Sequence, residues 1–519
     1  MILAGSHENN PMGLHLPPLS HQYVAMSEDE IFVQKSIQQI KSTVESVENE
    51  IMRLRRSLTE LEEYRGQLYE NMARHQAILS PIRKLPPEIL AEVFLHAADD
   101  SSVVWPRENG DVEMPLLLGR ICSCWRTVTH ALPQLWSKIR LDIPRALESR
   151  SAGSFKAACV AVHGLVEMCL SRSRNALLSF SITADGPPEL IVPLLQAFVK
   201  HSSRWRDVSI DLARLSKYHQ ILMPAKGNVP KLHRLHLGTS IKDTLATDTL
   251  DAFQVSPSLK ELSISHLTRP FHFLRIPWAQ LTHLTSKMST FREGEFSEIL
   301  RHTKNLVVFS TEGERILEVT SSQPVLLCHL EKMAIVNKGS YITKSFQFFT
   351  APNLKELHLH AITPFNPDQT IAMITRSKCK LTHLTIHSSQ EVETVWEENF
   401  GIARLLGHVP SLVHLRLIVL KSGDDLIHRL GLHSNVFPQI LPNLESLILE
   451  DGFCVSGYSL AEVLRSRINS LSPTDTRLGG LRCVRLKLSL PPPPKFPELD
   501  ALKVFAKYHG VDIAIHTSG

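Results

Sequence analysis

A chain of 519 residues, 43% apolar and 21% charged, has material for several buried cores and is not disordered as a whole. Its 56 basic and 52 acidic residues leave a net charge of +4, so no global basic field argues for nucleic acid. The eight cysteines include no Cys-x-x-Cys pair and sit mostly in apolar runs, which reads as reduced thiols packed as small hydrophobes in the cytoplasm or nucleus.

Residues 1–27 hold Pro11, Pro17, Pro18 and Gly13 without a sustained period and read as a flexible tail. From residue 28 to 79 the pattern changes. Ile37, Ile40, Val44, Val47, Ile51, Leu54, Leu58, Leu61, Leu68 and Met72 alternate spacings of three and four, a heptad with these residues at a and d, interrupted by Arg65 and His75. Such a seam must pack on something. A homodimeric coiled coil is favoured, with a helix lying back along its own chain as the alternative.

Ser80-Pro81 ends that helix and opens the segment 80–141. Pro86 and Pro87 suit a first helical turn, and Glu88 complements its dipole, so a helix should begin there with Ile89, Leu90, Val93 and Phe94 as its apolar stripe. After a loop from Asp99 to Pro115, a second helix is expected to carry Leu117, Leu118, Ile121, Cys122 and Trp125, and a third short turn Leu132, Leu135 and Trp136. Cys122 and Cys124, two apart on one helix, do not face each other, and Cys122 is expected in the core.

Leu85-Pro86-Pro87-Glu88-Ile89-Leu90, Val93-Phe94, Ile121-Cys122 and Cys124-Trp125-Arg126 together resemble the F-box, the trihelical module that docks on the small adaptor subunit of cullin-RING ubiquitin ligases. The order of coil, split F-box and leucine-rich array is similar to the F-box-like proteins numerous in mushroom-forming fungi. The resemblance implies a Skp1-type adaptor and, through it, a cullin as partners. It implies adaptor contacts from Leu85, Pro86, Ile89 and Leu90, with Phe94 at the same edge and, like Trp125, mainly supporting the fold.

Beyond residue 142 a helix-then-strand rhythm appears, with strands expected at Trp136 to Ile143, Leu177 to Ile182 and Trp205 to Ile210, and helices at Ser154 to Ser173 and Leu190 to Lys200. The pattern Leu-x-x-Leu-x-apolar, with substitutions, then starts at Leu232, Leu259, Leu281, Leu306, Leu330, Leu354, Leu381, Leu412, Leu444 and Leu481. Five starts follow a proline by two residues, and the spacing is that of leucine-rich repeats with longer late members. Residues 142–519 are therefore expected to form an α/β solenoid of about 12 or 13 units with a parallel sheet on its concave face, closed by a helix and strand from Pro497 to Ile515.

In such strands the residues flanking the second leucine point away from the core. These name a substrate-recruiting face of Asp207, Arg234, His236, Glu261, His283, Lys332, Glu356, His358, His383, His414, Arg416 and Arg485, more basic toward its C-terminal end. The alternative for each is an ordinary solvated sheet residue. His358-x-His360 puts two rings on one side of a strand without a convergent third ligand, so no metal is expected, nor any cofactor. No Gly-x-Ser-x-Gly, Gly-Lys-Ser/Thr, zinc or His-Glu-x-x-His signature appears, so no enzyme is expected. No apolar run is read as long enough to span a bilayer, and Met1-Ile2-Leu3-Ala4-Gly5 does not read as a signal peptide, so a soluble protein without membrane partners is expected. The functional expectation is a substrate receptor of an SCF-type ubiquitin ligase. The alternative is a leucine-rich scaffold outside any ligase.

Overall fold

The computed structural model describes residues 27–98, 103–104, 114–143, 152–239, 249–291, 295–312, 315–316, 324–336, 346, 349–360, 367–388, 395–419, 424–431, 440–450, 457–469, 480–488 and 497–517. All of the expected tail but Ser27, which opens a helix, lies outside them. The chain divides into two compact units, Met1–Pro86 and Pro87–Gly519.

The first unit is dominated by α1 (Ser27–Leu79), unbroken over 53 residues. It contains no proline, and Arg53 and Arg74 pair with Glu50 and Glu70 on its surface at 2.7 Å each. Pro81 cannot continue the helix, and a single 3-10 turn, Pro81–Lys84, follows.

The second unit begins with α2 (Pro87–Ala97), which has Pro87 in its first turn and Glu88 beside the helix dipole, as expected from the sequence. The second expected helix is two helices. Helix α3 (Met114–Ile121) stops at Cys122, whose extended backbone (φ −157°, ψ 171°) makes it the N-cap of α4 (Ser123–Ala131). Its sulfur accepts the Trp125 N–H at 3.4 Å, so half-buried Cys122 caps a helix instead of filling the core. The Arg126 side chain donates to the Gly119 carbonyl at 2.8 Å across the break. Phe94 packs against Trp125 with the rings tilted by 55° and their centroids 4.8 Å apart, holding α2 to α4. Trp136, buried at the end of a 3-10 turn (Pro133–Trp136), donates to the Thr129 carbonyl at 2.9 Å and lies under the Arg172 guanidinium.

The rest is mixed α/β around one fifteen-stranded parallel sheet whose strands follow chain order. Its first eight strands are β1 (Val103–Val104), β2 (Lys138–Ile143), β3 (Leu178–Ala184), β4 (Trp205–Leu212), β5 (Arg234–Thr239), β6 (Glu261–Ser265), β7 (His283–Lys287) and β8 (Val308–Glu312). The last seven are β9 (Lys332–Val336), β10 (Glu356–His360), β11 (His383–Ser388), β12 (His414–Val419), β13 (Ser446–Glu450), β14 (Cys483–Leu488) and β15 (Asp512–Thr517). The fifteen exceed the twelve or thirteen units expected, partly because Val103–Val104, inside the stretch read as a loop, pairs with β2 and forms the sheet's first edge.

All ten leucines that open the repeating pattern are fully buried, at 0% exposure, and each lies two residues before its strand. The next apolar position, from Leu235 to Val484, is at most 2% exposed throughout. The third is apolar in eight strands and Ser286 and Thr311 in the adjacent β7 and β8, where both hydroxyls are buried without a hydrogen-bond partner. A second regularity holds the turns. The side chain immediately before the opening leucine donates to a carbonyl of the preceding turn in Ser258 to Pro230 (2.7 Å), Asn305 to Ala279 (2.9 Å), Asn353 to Cys328 (2.6 Å), Ser411 to Leu381 (2.8 Å) and Asn443 to Pro410 (3.1 Å). Each turn is tied to its neighbour where no ladder reaches.

Helices connect many of the strands, among them α5 (Ala152–Arg172) and α6 (Pro188–Val199), both anticipated. Against the expectation that no run is long enough to span a bilayer, Gly153–Arg172 is long and apolar enough by length and composition alone. Its Val162, Val166, Cys169 and Leu170 are buried inside the unit, and burial raises the Cys169 thiol to about 12. The final helix and strand, Pro497–Tyr508 and Asp512–Thr517, also match the sequence reading.

Candidate functional site

One face of the sheet carries the side chains that alternate with the buried leucines, and the strand register gathers residues spaced 22 to 31 apart in sequence into rows. Asp207, Arg234, Glu261, His283, Val308, Lys332, Glu356, His383 and His414 stand side by side in one row. His236, Ser263, Thr285, Ser310, Ala334, His358, Thr385 and Arg416 form the next. The residues named from the sequence therefore share this one face of the sheet, half-buried or exposed, including Arg485 on β14.

Charges on this face are largely tied across strands. Arg234 pairs with Glu261 at 2.8 Å and stands 3.9 Å from Asp207; Lys332 pairs with Glu356 at 2.8 Å and Arg416 with Glu450 at 2.9 Å. The hydrogen bond from Lys332 holds the Glu356 carboxyl below its ordinary range. Histidines cluster on β10 to β12. His383 stacks on His414 at 4.2 Å and His360 meets His387 edge-on at 5.7 Å, while His358 shares a 3.0 Å hydrogen bond with Thr385. Burial, reinforced by neighbouring positive groups, lowers His358, His360 and His383 below the usual imidazole value. Among the described residues no group of three or more His, Cys, Asp or Glu could hold a metal ion.

The N-terminal part of the same face is hollowed. A groove of about 510 Å³ runs over β2 to β8, floored by Ser179, Ser181, Ser209, Ser263 and Thr285 and bordered by Arg140, Asp207, Arg234, His236 and Glu261. The floor is low because five outward positions carry only small hydroxyl side chains. His236, pushed down by burial, hydrogen-bonds Ser263 at 2.9 Å, and burial pushes the neighbouring Asp211 carboxyl up. Asp211 has its space because residue 238 is glycine: a Cβ there would lie 2.7 Å from the Asp211 carboxyl carbon and 2.3 Å from the Ser265 hydroxyl. Sequence reasoning named several bordering residues but not the groove. The signal was the run of serines and threonines at outward positions.

The other candidate surface lies on α2 and α3. Of the residues assigned by resemblance to the adaptor, Leu90 and Phe94 are 2% and 1% exposed, so they are core residues and not contacts. They face inward because α2 spends that side of its stripe on α4, through Phe94 and Trp125. Ile89 is 50% exposed, Pro86 is exposed and Leu85 half-buried, the last two ending the first unit. Exposed apolar residues to which the resemblance assigned no adaptor contact continue this surface: Val93 stands one turn after Ile89 on α2, and Leu117 and Ile121 form a second such pair on α3.

Compared with known proteins, no family model matches the chain, and no curated protein matches it.

Proposed function

We propose that the chain is the substrate-receptor subunit of a cullin-RING ubiquitin ligase. Its F-box-like helices dock a Skp1-type adaptor, and its sheet, read as a leucine-rich-repeat solenoid, holds a protein target on the open, concave face. The observation that carries the proposal is the split stripe of the helical segment. Leu90 and Phe94 are buried, Phe94 against Trp125 of α4, while Ile89, Val93, Leu117 and Ile121 remain 42–55% exposed, as an apolar edge awaiting a partner would. The mechanism is proximity: the target is held within reach of a ubiquitin donor carried by another subunit. Pairing of two receptors through α1 would raise the effective concentration for a repetitive target.

Burying one such aliphatic side chain is worth about 1.5 to 3 kcal/mol, so Ile89→Ala with Val93→Ala removes enough to weaken adaptor binding more than about a hundredfold. Both positions are exposed in the chain, so folding survives. Pulldown of adaptor by the wild-type and doubly substituted chains tests this, and equal recovery refutes the docking edge.

The rival reading is a leucine-rich scaffold outside any ligase, its helical segment acting only as a cap. The position of β1 favours it: Val103–Val104, from within that segment, closes the first edge of the sheet. Native copurification that returns a folded chain without adaptor would establish this reading instead.

A further inference from the structure

The apolar a and d side chains of α1 from Ile37 to Met72 are 42–65% exposed, a seam of about six heptads. We infer that α1 pairs with a second copy of itself in antiparallel orientation, in the one register that sets Ile37 of each chain level with Leu68 of the other. This deepens the homodimer reading and rests on it; it does not depend on ligase membership.

The charges flanking the seam decide orientation. Taking Ile37 as a, the e positions carry Lys41, Glu48, Arg55 and Glu62, and the g positions Ser36, Thr43, Glu50, Ser57 and Tyr64. A parallel pair brings g against e five residues on, and the one attractive match is Glu50 with Arg55. Glu50 is already engaged, accepting two hydrogen bonds from Arg53 of its own helix at 2.8 and 2.7 Å. A parallel pair would also stack the a-position Arg65 on its own copy and His75 on His75. Antiparallel helices instead bring e against e. With Ile37 opposite Leu68, Lys41 meets Glu62 and Glu48 meets Arg55, each twice by symmetry. Among the described residues Lys41, Glu48 and Arg55 have no ion pair in their own chain, and Glu62 has only a 4.0 Å approach to Arg65.

The same register orders the core. Val44 falls opposite Leu61, Ile51 opposite Leu54 and Leu58 opposite Val47, while Arg65 faces Ile40 instead of a second arginine. Glu30, at an a position, falls opposite His75, so the two polar interruptions at the ends meet each other. Sliding one heptad either way is penalised: one shift sets Lys41 against Arg55 and Glu48 against its own copy, the other Glu48 against Glu62 and Arg55 against Arg55. The centre of the favoured register lies between residues 52 and 53, the midpoint of the helix, so α1 overlaps its partner along nearly its whole length.

The test uses the full chain. Two differently tagged variants, Ile37→Cys and Leu68→Cys, are mixed, oxidised and digested, and cross-linked peptides are read by mass spectrometry beside the mass of the intact particle. The expected result is a dimer with 37-to-68 cross-links between tags. A dimer with only 37-to-37 and 68-to-68 links would overturn the orientation and leave the homodimer standing, whereas a monomer, or a larger assembly, would overturn both. As a second measurement, Glu48→Lys with Glu62→Lys should raise the dimer dissociation constant about tenfold or more, and mixing with Lys41→Glu/Arg55→Glu should restore affinity. In a parallel pair the new lysines would face Thr43 and Ser57, so an unchanged constant argues against the antiparallel register.

Discussion

Arg467 is the most demanding side chain in the second unit to explain, and replacing it by methionine gives a sharp test of the packing. It sits near the end of the helix Gly457–Asn469, 1% exposed, and burial lowers its guanidinium to about 10, still protonated near neutral pH. Its Nε donates to the Leu430 carbonyl, and its two terminal nitrogens donate to Leu441 at 3.0 Å and Ile440 at 2.8 Å. One side chain from the helix after β13 thus holds two points of the connection before β13, Leu430 and the Ile440–Leu441 turn with its left-handed backbone at Leu441 (φ 56°). Methionine fills similar space and removes the cost of burying a cation, but it leaves the Leu430 and Ile440 carbonyls without that donor, while Leu441 keeps the Leu444 N–H at 3.3 Å. Each buried group so stranded costs about 1–3 kcal/mol, and with the relief of desolvation offsetting part of the sum, the net loss should be about 2–4 kcal/mol. Because stacked repeats need not unfold together, the assay should be hydrogen exchange of 424–469 beside denaturant unfolding. Arg467→Lys, a point charge in place of a fork, should lose less. A methionine variant that loses under about 1 kcal/mol, with exchange unchanged in that segment, would refute the idea that the guanidinium holds these turns.

Two further outcomes follow from groups the fold leaves uncomfortable. Thr311→Val removes a buried hydroxyl without a partner at almost constant volume and should raise stability by about 1–2 kcal/mol, as denaturant unfolding would show; a loss of stability would mean that the hydroxyl is satisfied. His236, His358, His360 and His383 all have folded-state values depressed chiefly by burial, so the unfolded chain takes up protons first as pH falls below the ordinary imidazole value. Stability should therefore be constant above that value and decline as pH drops through the window between it and the lowered values. A melting temperature flat from pH 7.5 to 5.5 would contradict this assignment.

The ten opening leucines were legible because each is an absolute requirement of burial, and their spacing survives every substitution around them. What the sequence hid is local and polar. The helix break at Cys122 lies inside a run whose apolar period continues unbroken from Leu118 through Ile121 to Trp125, with no proline at the break, and sulfur is a weak and unfamiliar cap. The stapling residues before the leucines, Asn353 and Asn443 among them, stand beside proline and read as ordinary turn chemistry. Leu90 shows a different limit. A helical period identifies the stripe Ile89, Leu90, Val93 and Phe94, but only the position of α4 decides that Leu90 and Phe94 face inward and Ile89 and Val93 do not.

That division bears on how the open face would discriminate among targets on the receptor reading. Arg234, Lys332 and Arg416 each have a carboxylate across a strand, at 2.8 to 2.9 Å, so the face presents few uncommitted charges to a distant protein. Exposed ion pairs of this kind are worth about 0–1 kcal/mol each, and a target that supplies its own carboxylate or ammonium gains little by breaking one. The groove over β2 to β8 works differently: its serine and threonine floor offers hydroxyls able to donate or accept, in an open hollow of about 510 Å³. On that reading, specificity would rest on fit and hydrogen bonding at the N-terminal end of this face more than on net charge. Filling the floor should accordingly weaken target binding more than reversing any one paired charge.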